Sequence, residues 1–164
     1  MPFAVAFTCR RCGHCCQGAG GIMLSARDIA RLAAHLALAP EAMLARFAER
    51  VGGKDRLVTA ENGYCVFYEE GCAIHPARPD VCRAWPYFRG NIIDAASHAM
   101  AAEDCPGIDT TVPHAEFARQ GLDYLRENDL AREQGTDAPR ALVVLTPQPP
   151  AEEKEHGPCG CDAS

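Results

Sequence analysis

Apolar residues recur at helical spacing in three stretches of the chain, while alternation is confined to short runs between them. Ser25-Ala26-Arg27-Asp28 has the form of a capping box with Asp in place of Glu, and Ile29, Leu32, Ala33 and Leu36 follow on one helical face. This predicts a helix from about Ser25 to Ala39. Pro40 suits a first helical turn, Met43, Leu44, Phe47 and Val51 continue the stripe, and Gly52-Gly53 stops it. The two helices are expected to pack as a short hairpin beside the N-terminal loop, with their apolar faces as ordinary core. A third helix is expected from Pro113 to about Glu133, with Phe117, Tyr124 and Leu125 among its apolar positions and Gly135 as its stop.

The middle of the chain carries a different pattern. Arg56 to Ala60 and Tyr64 to Tyr68 are strand-type runs around the turn Glu61-Asn62-Gly63, and Glu69-Glu70-Gly71 turns the chain again. Arg78-Pro79-Asp80-Val81-Cys82-Arg83 predicts a single helical turn, closed by Trp85-Pro86 because the residue before proline is pushed out of the α region. Arg89 to Ile93 and Ala141 to Leu145 read as further short strands. Beyond Thr146, Pro-Gln-Pro-Pro and Glu152-Glu153-Lys154-Glu155 offer too little apolar surface to support a core. The expectation is an α+β fold: a small irregular metal-stabilised domain with a helical hairpin, short strands and a C-terminal helix. It divides into a cysteine-cluster domain over 1–110, a helix and strand packed on it over 111–146, and an acidic tail over 147–164.

Charge and composition narrow the function. With 164 residues and a formal net charge of -6, the chain has no Lys/Arg-rich run or basic amphipathic face, so neither nucleic-acid phosphate nor anionic lipid is an expected partner. Met1 to Phe7 is apolar but lacks the basic start of an export signal, and no run approaches the ~18 apolar residues of a membrane span. A cytoplasmic location is therefore expected, where thiols stay reduced and dense cysteines serve metals or redox chemistry rather than a disulfide scaffold.

The chain holds ten cysteines. Cys9, Cys12, Cys15 and Cys16 fall within eight residues, and Cys65, Cys72, Cys82 and Cys105 follow singly. These eight thiols suffice for two four-thiolate sites. Successive side chains usually point apart, so Cys15 and Cys16 are expected to serve different centres. Zinc and iron–sulfur clusters both accept four cysteinates. Cys9-x-x-Cys12-x-x-Cys15 matches the first three ligands of a bacterial ferredoxin run, and Cys105-Pro106 its remote Cys-Pro, whereas zinc knuckles more often show two C-x-x-C pairs. Iron, held as a 4Fe-4S cluster with a second centre nearby, is thus the leading expectation and zinc the alternative. Arg10, Arg11, Arg78, Arg83 and Arg89 would offset thiolate charge. His14 and His75 are expected to support the thiols rather than replace one. Gly18 to Gly21 would give backbone room near the metal, with amides turned to sulfur. Cys159-Gly160-Cys161 suggests metal handling as a further alternative. No nucleophile–base pair, P-loop or dinucleotide fingerprint marks an independent enzyme.

Together, Cys9-x-x-Cys12-Gly13-x-Cys15-Cys16, Gly63-x-Cys65-x-Phe67, Cys72-x-Ile74-x-x-x-Arg78-Pro79-x-x-Cys82-Arg83-x-x-Pro86 and Cys105-Pro106-Gly107 resemble the YkgJ-type cysteine-cluster family. That family is the zinc- or iron-chelating domain named for its CxxCxxCC signature, and related domains occur in flagellin lysine methylases. The resemblance spans residues 7 to 107 and implies a metal role for all eight cysteines. The resemblance supports metal binding rather than a reaction; with iron the expected role is electron transfer or service to a redox protein partner, and with zinc a structural module that presents an interaction surface. The third helix and the tail lie beyond it.

Overall fold

The computed structural model describes residues 4–18, 21–132 and 140–143. The chain is a small α+β domain whose regular structure flanks a cysteine-bearing region of turns. Helix α1 (Ala26–His35) starts with the expected capping box: the Asp28 amide donates to Ser25 Oγ, and the Ser25 amide donates to Asp28 Oδ2 at 2.9 Å. It ends earlier than its apolar stripe suggests, because Ala37 takes a left-handed conformation that turns the chain toward α2 (Pro40–Phe47).

Several sequence expectations change here. Helix α2 does not run to Val51 but passes directly into β1 (Ala48–Val51), which pairs antiparallel with β2 (Lys54–Leu57) in the register Ala48 to Leu57. Gly52 and Gly53, read as a helix stop, have φ of +57° and +79° and form the hairpin turn, where two successive positive φ values favour glycine. Tyr64 to Tyr68 forms no strand, only isolated bridges, from Tyr64 to Gln17, Cys65 to Thr59 and Tyr68 to Cys72.

The expected strand at Arg89 is helix α4 (Arg89–Ile93), which runs into α5 (Ala95–Asp104) across Asp94. Asp94 caps α5 by accepting from the Ala96 and Ser97 amides. The preceding turn is helical as expected, as α3 (Asp80–Ala84), and the last long helix is α6 (His114–Glu127). Arg140–Leu142 forms a 3-10 turn rather than a strand, with Val143 bridged to Arg132; the rest of that expectation, and Cys159 and Cys161, lie outside the described residues. Among the described residues, no helix is long and apolar enough to cross a membrane.

Two apolar clusters form the core. One gathers Leu32, Met43, Leu57, Phe67 and Ile74 from α1, α2, β2 and the Cys65–Cys72 turns. The other gathers Tyr87, Ile92, Phe117, Leu125, Leu130 and Leu142 around α4, α5 and α6. An ionic knot joins them. Buried Asp80, at the start of α3, accepts from Arg27 and Arg31 of α1, from Arg83 and from Arg132, while its own amide donates to buried Asp28 at 2.8 Å. Carboxylates this buried are tolerable only when each is paired and hydrogen-bonded.

Candidate metal centre

The eight cysteines reach one region from four directions. Gly13, with φ +85°, opens a 3-10 turn over His14–Cys16 and is buried beneath Tyr68; a Cβ there would lie 2.4 Å from that ring. Tyr68 in turn stacks on Tyr64 at 4.2 Å, and Tyr64 Oη accepts from Gln17 Nε2. The turn is held to the second cysteine segment by the Cys65 amide donating to Cys16 O at 2.7 Å and the Gly18 amide donating to Gly63 O at 3.1 Å. The Gly18 amide is thus spent on backbone rather than turned to sulfur, and Ala19 and Gly20 of that run lie outside the described residues.

Cys9 is placed by a separate clasp. Thr8 donates to Gly107 O and Asp109 to Ala6 O, each at 2.9 Å, so the first described residues run antiparallel to the segment just past Cys105. Gly107 is required by this approach, since a Cβ there would sit 2.5 Å from Thr8 O. Cys82 comes from α3, and buried Cys105 caps α5, where its sulfur accepts from Trp85 Nε1 at 3.5 Å. All eight are free thiols.

These sulfurs ring two adjoining recesses. The smaller, about 40 Å³, is lined by Cys9, Cys15, Cys16, Cys65, Cys72 and Cys82 together with His75 and Arg78. The larger, about 810 Å³, shares five of those cysteines and adds Cys12 and Cys105. Among the described residues, no three His, Cys, Asp or Glu side chains already converge as a group that could hold a metal ion. The thiols line the recesses instead, and shift one another's ionisation.

Cys16 lies at the centre of these shifts. The neighbouring Cys15 and Cys72 thiols, competing for its one S–H, push its proton affinity up, and Cys16 pulls Cys15 down to about 6 and Cys72 to about 7. Cys15 and Cys16, which share the 3-10 turn, each line both recesses. Burial pushes Cys65 and Cys82 up, with neighbouring sulfurs adding to the effect. Backbone amides oppose it, from Phe67 at Cys65 and from Ile74 at Cys72, the repeated Cys-x-aromatic and Cys-x-aliphatic placement of an N–H two residues past a sulfur.

The five arginines near the cysteines separate cleanly. Arg83 is bound to Asp80, Arg10 and Arg11 are exposed, and Arg89 lines neither recess. Arg78 lines the smaller recess, its Nε is buried without a hydrogen-bond partner, and its charge favours the thiolate forms of Cys15, Cys72 and Cys82. A buried donor left without an acceptor is costly, and the charge of nearby thiolates offsets part of that cost. His75 places Nε2 3.8 Å from Cys9 Sγ and Nδ1 3.5 Å from Arg11. Arginine can only donate, so Nδ1 accepts and the imidazole proton sits on Nε2, facing the sulfur. Burial, Arg78 and Arg11 lower the His75 pKa, which keeps the ring neutral. His14 is exposed.

The donor set fits a thiophilic metal: soft sulfur side chains, amide donors to Cys65 and Cys72, and a half-buried cation beside them. Of the five arginines that sequence reasoning set beside the thiols, Arg10, Arg11 and Arg78 line the recesses and Arg83 and Arg89 do not, and the sequence had no signal that selected Arg78. It also passed over Tyr64, Tyr68 and the Asp28–Asp80 knot, whose contacts span chain segments far apart in sequence.

The chain belongs to the CxxCxxCC family, "Putative zinc- or iron-chelating domain", whose model matches residues 8–106. It is also similar to the uncharacterized protein MJ0661 of Methanocaldococcus jannaschii, with 28% identity over 86 residues that make up 51% of this chain and 46% of that one. The chain thus spans about half the length of the curated relative it matches. No solved structure matches it.

Proposed function

We propose that this chain holds iron through Cys9, Cys12, Cys15, Cys16, Cys65, Cys72, Cys82 and Cys105, as a 4Fe-4S cluster with a second centre beside it, and serves a redox protein partner by electron transfer. The observation that carries the reading is the lining of two adjoining recesses by eight thiols from separate chain segments, five of them common to both. Cys15, Cys16, Cys65, Cys72 and Cys82 form the inner group, being close enough to perturb one another's ionisation. The first centre falls to four of them, and the fifth joins Cys9, Cys12 and Cys105 in the second.

A cluster bound there would accept and release an electron at a potential set by its surroundings. The protein's levers are N–H groups aimed at sulfur and nearby charge. Here Phe67 and Ile74 amides serve Cys65 and Cys72, the Trp85 indole serves Cys105, His75 faces Cys9, and Arg78 supplies the cation. Exposed Cys9, Cys12 and Cys15 put one side of the site at the surface, within reach of a partner.

Purification without oxygen, followed by iron, zinc and acid-labile sulfide determination with a visible spectrum, tests this. Iron matched by sulfide and a broad band near ~400 nm is expected. Zinc at about two per chain, colourless and without sulfide, would replace the redox role with a structural module whose metal contributes folding energy.

A further inference from the structure

The two recesses differ about twentyfold in volume, and the difference points to different occupants. About 40 Å³ is close to the space of one water or ion. About 810 Å³ lies within the roughly 300–1,000 Å³ of small-molecule sites and exceeds what thiolate-bound metal alone would fill.

The walls of the larger cavity say what it would take. Beside the sulfurs its wall holds Phe7, Val81, Trp85 and Phe88, with Trp85 and Phe88 edge to face at 5.2 Å. Its charged side chains are Arg10, Arg11 and Arg140 against a single carboxylate, Asp104. Arg10 and Arg11 enter no ion pair among the described residues. An aromatic wall favours a flat apolar body, and exposed guanidiniums favour an anionic group on it.

We propose that this cavity is a binding site for a small aromatic anion, seated against Trp85 and Phe88 with its charge toward Arg10 and Arg11, beside the thiols it shares with the metal recess. The site goes beyond metal binding and does not depend on which metal is held.

Trp85 is the chain's single tryptophan, so its fluorescence reports occupancy directly. The full chain, as purified, would be titrated with 8-anilinonaphthalene-1-sulfonate and with N-phenyl-1-naphthylamine, the same ring system without the sulfonate. Saturable quenching by the anion at one site per chain, weaker quenching by the neutral compound, and an anion affinity about three- to tenfold lower in the Arg10→Gln/Arg11→Gln variant are expected. The neutral compound should bind that variant as it binds the parent. Absence of one-site quenching, equal affinity for the two compounds, or indifference of the anion to both substitutions would overturn the proposal. Metal content, determined on the same samples, separates this result from the metal assignment: a chain without metal that still discriminates the anion leaves the cavity site standing.

Discussion

The thiol region and the helical region are built on opposite terms. Between residues 9 and 21 and between 63 and 72, Arg11, Gly13, Gly18, Gly21, Gly63, Glu70 and Gly71 all take positive φ, whereas in the stretch from α3 to Arg132 only Asp129 does. Left-handed backbone is costly for residues other than glycine and is tolerated where surroundings hold it in place. The helical region needs no such support: Phe117, Leu125 and Leu130 are fully buried, and regular hydrogen bonds satisfy its backbone. What this teaches is where each half finds its stability. Apolar burial serves the helices, and ligand chemistry is expected to serve the turns, since metal bound to the folded state alone contributes its binding energy to folding.

The contrast is most easily broken at a thiol. Cys82→Ser, or metal removal by a chelator under reducing conditions, should cost on the order of 5 kcal/mol or more, because the binding energy of a structural four-thiolate site is about 10–16 kcal/mol. Metal analysis and a denaturant melt on the same sample check it. Unchanged metal content and melting in Cys82→Ser would remove that residue from the ligand set.

Phe117→Ala probes the opposite region, where it deletes a fully buried ring and should cost about 3–5 kcal/mol. Metal content per folded chain should stay at the parent value. A proportional loss of metal would show that the two regions are not energetically separate.

The knot between them comes next. Asp80→Asn leaves Arg27, Arg31, Arg83 and Arg132 without their shared carboxylate. The guanidiniums are partly solvated, so the loss should be about 2–4 kcal/mol rather than the larger cost of a wholly buried break. Urea melts followed by both thiol accessibility and helical circular dichroism would separate the two transitions if Asp80 couples the regions.

Gly13→Ala should cost about 1–3 kcal/mol through its φ of +85° and the contact with Tyr68. Its mark should be faster metal loss to a chelator rather than lower stability of α6. The smallest effect belongs to His98, buried against Phe117 with its ring 4.1 Å from that ring and 5.4 Å from His114. Burial, then the His114 charge, lower its pKa below 6.5. The unfolded chain therefore takes up a proton before the folded one does, so stability should fall as pH drops from above 6.5 toward the lowered folded value. His98→Asn should flatten that slope, read by thermal melts across pH 5 to 8; an unchanged slope would assign it elsewhere.

Sequence reading reached the elements whose causes are local. The Ser25–Asp28 cap, Pro40 at the start of α2 and the Pro79 and Trp85-Pro86 limits of α3 each rest on neighbours a few residues away. It mistook Arg89–Ile93 for a strand because five residues with two terminal isoleucines carry no usable period, and α4 is helical through its packing with α5 and α6. It missed α5, where alanines dilute the amphipathic signal around buried His98 and Ala101. For the site, spacing and residue type marked the cysteines as a group. It gave no access to the selection of Arg78 or the Tyr68 stack over Gly13, since both arise from chain segments meeting in space.

The most direct test of the central claim is X-ray absorption at the iron and zinc edges on the full chain purified without oxygen. A first shell of sulfur at about 2.3 Å, thinned in Cys72→Ser, is the expected result. A shell of oxygen or nitrogen, or one that Cys72→Ser leaves untouched, would contradict it.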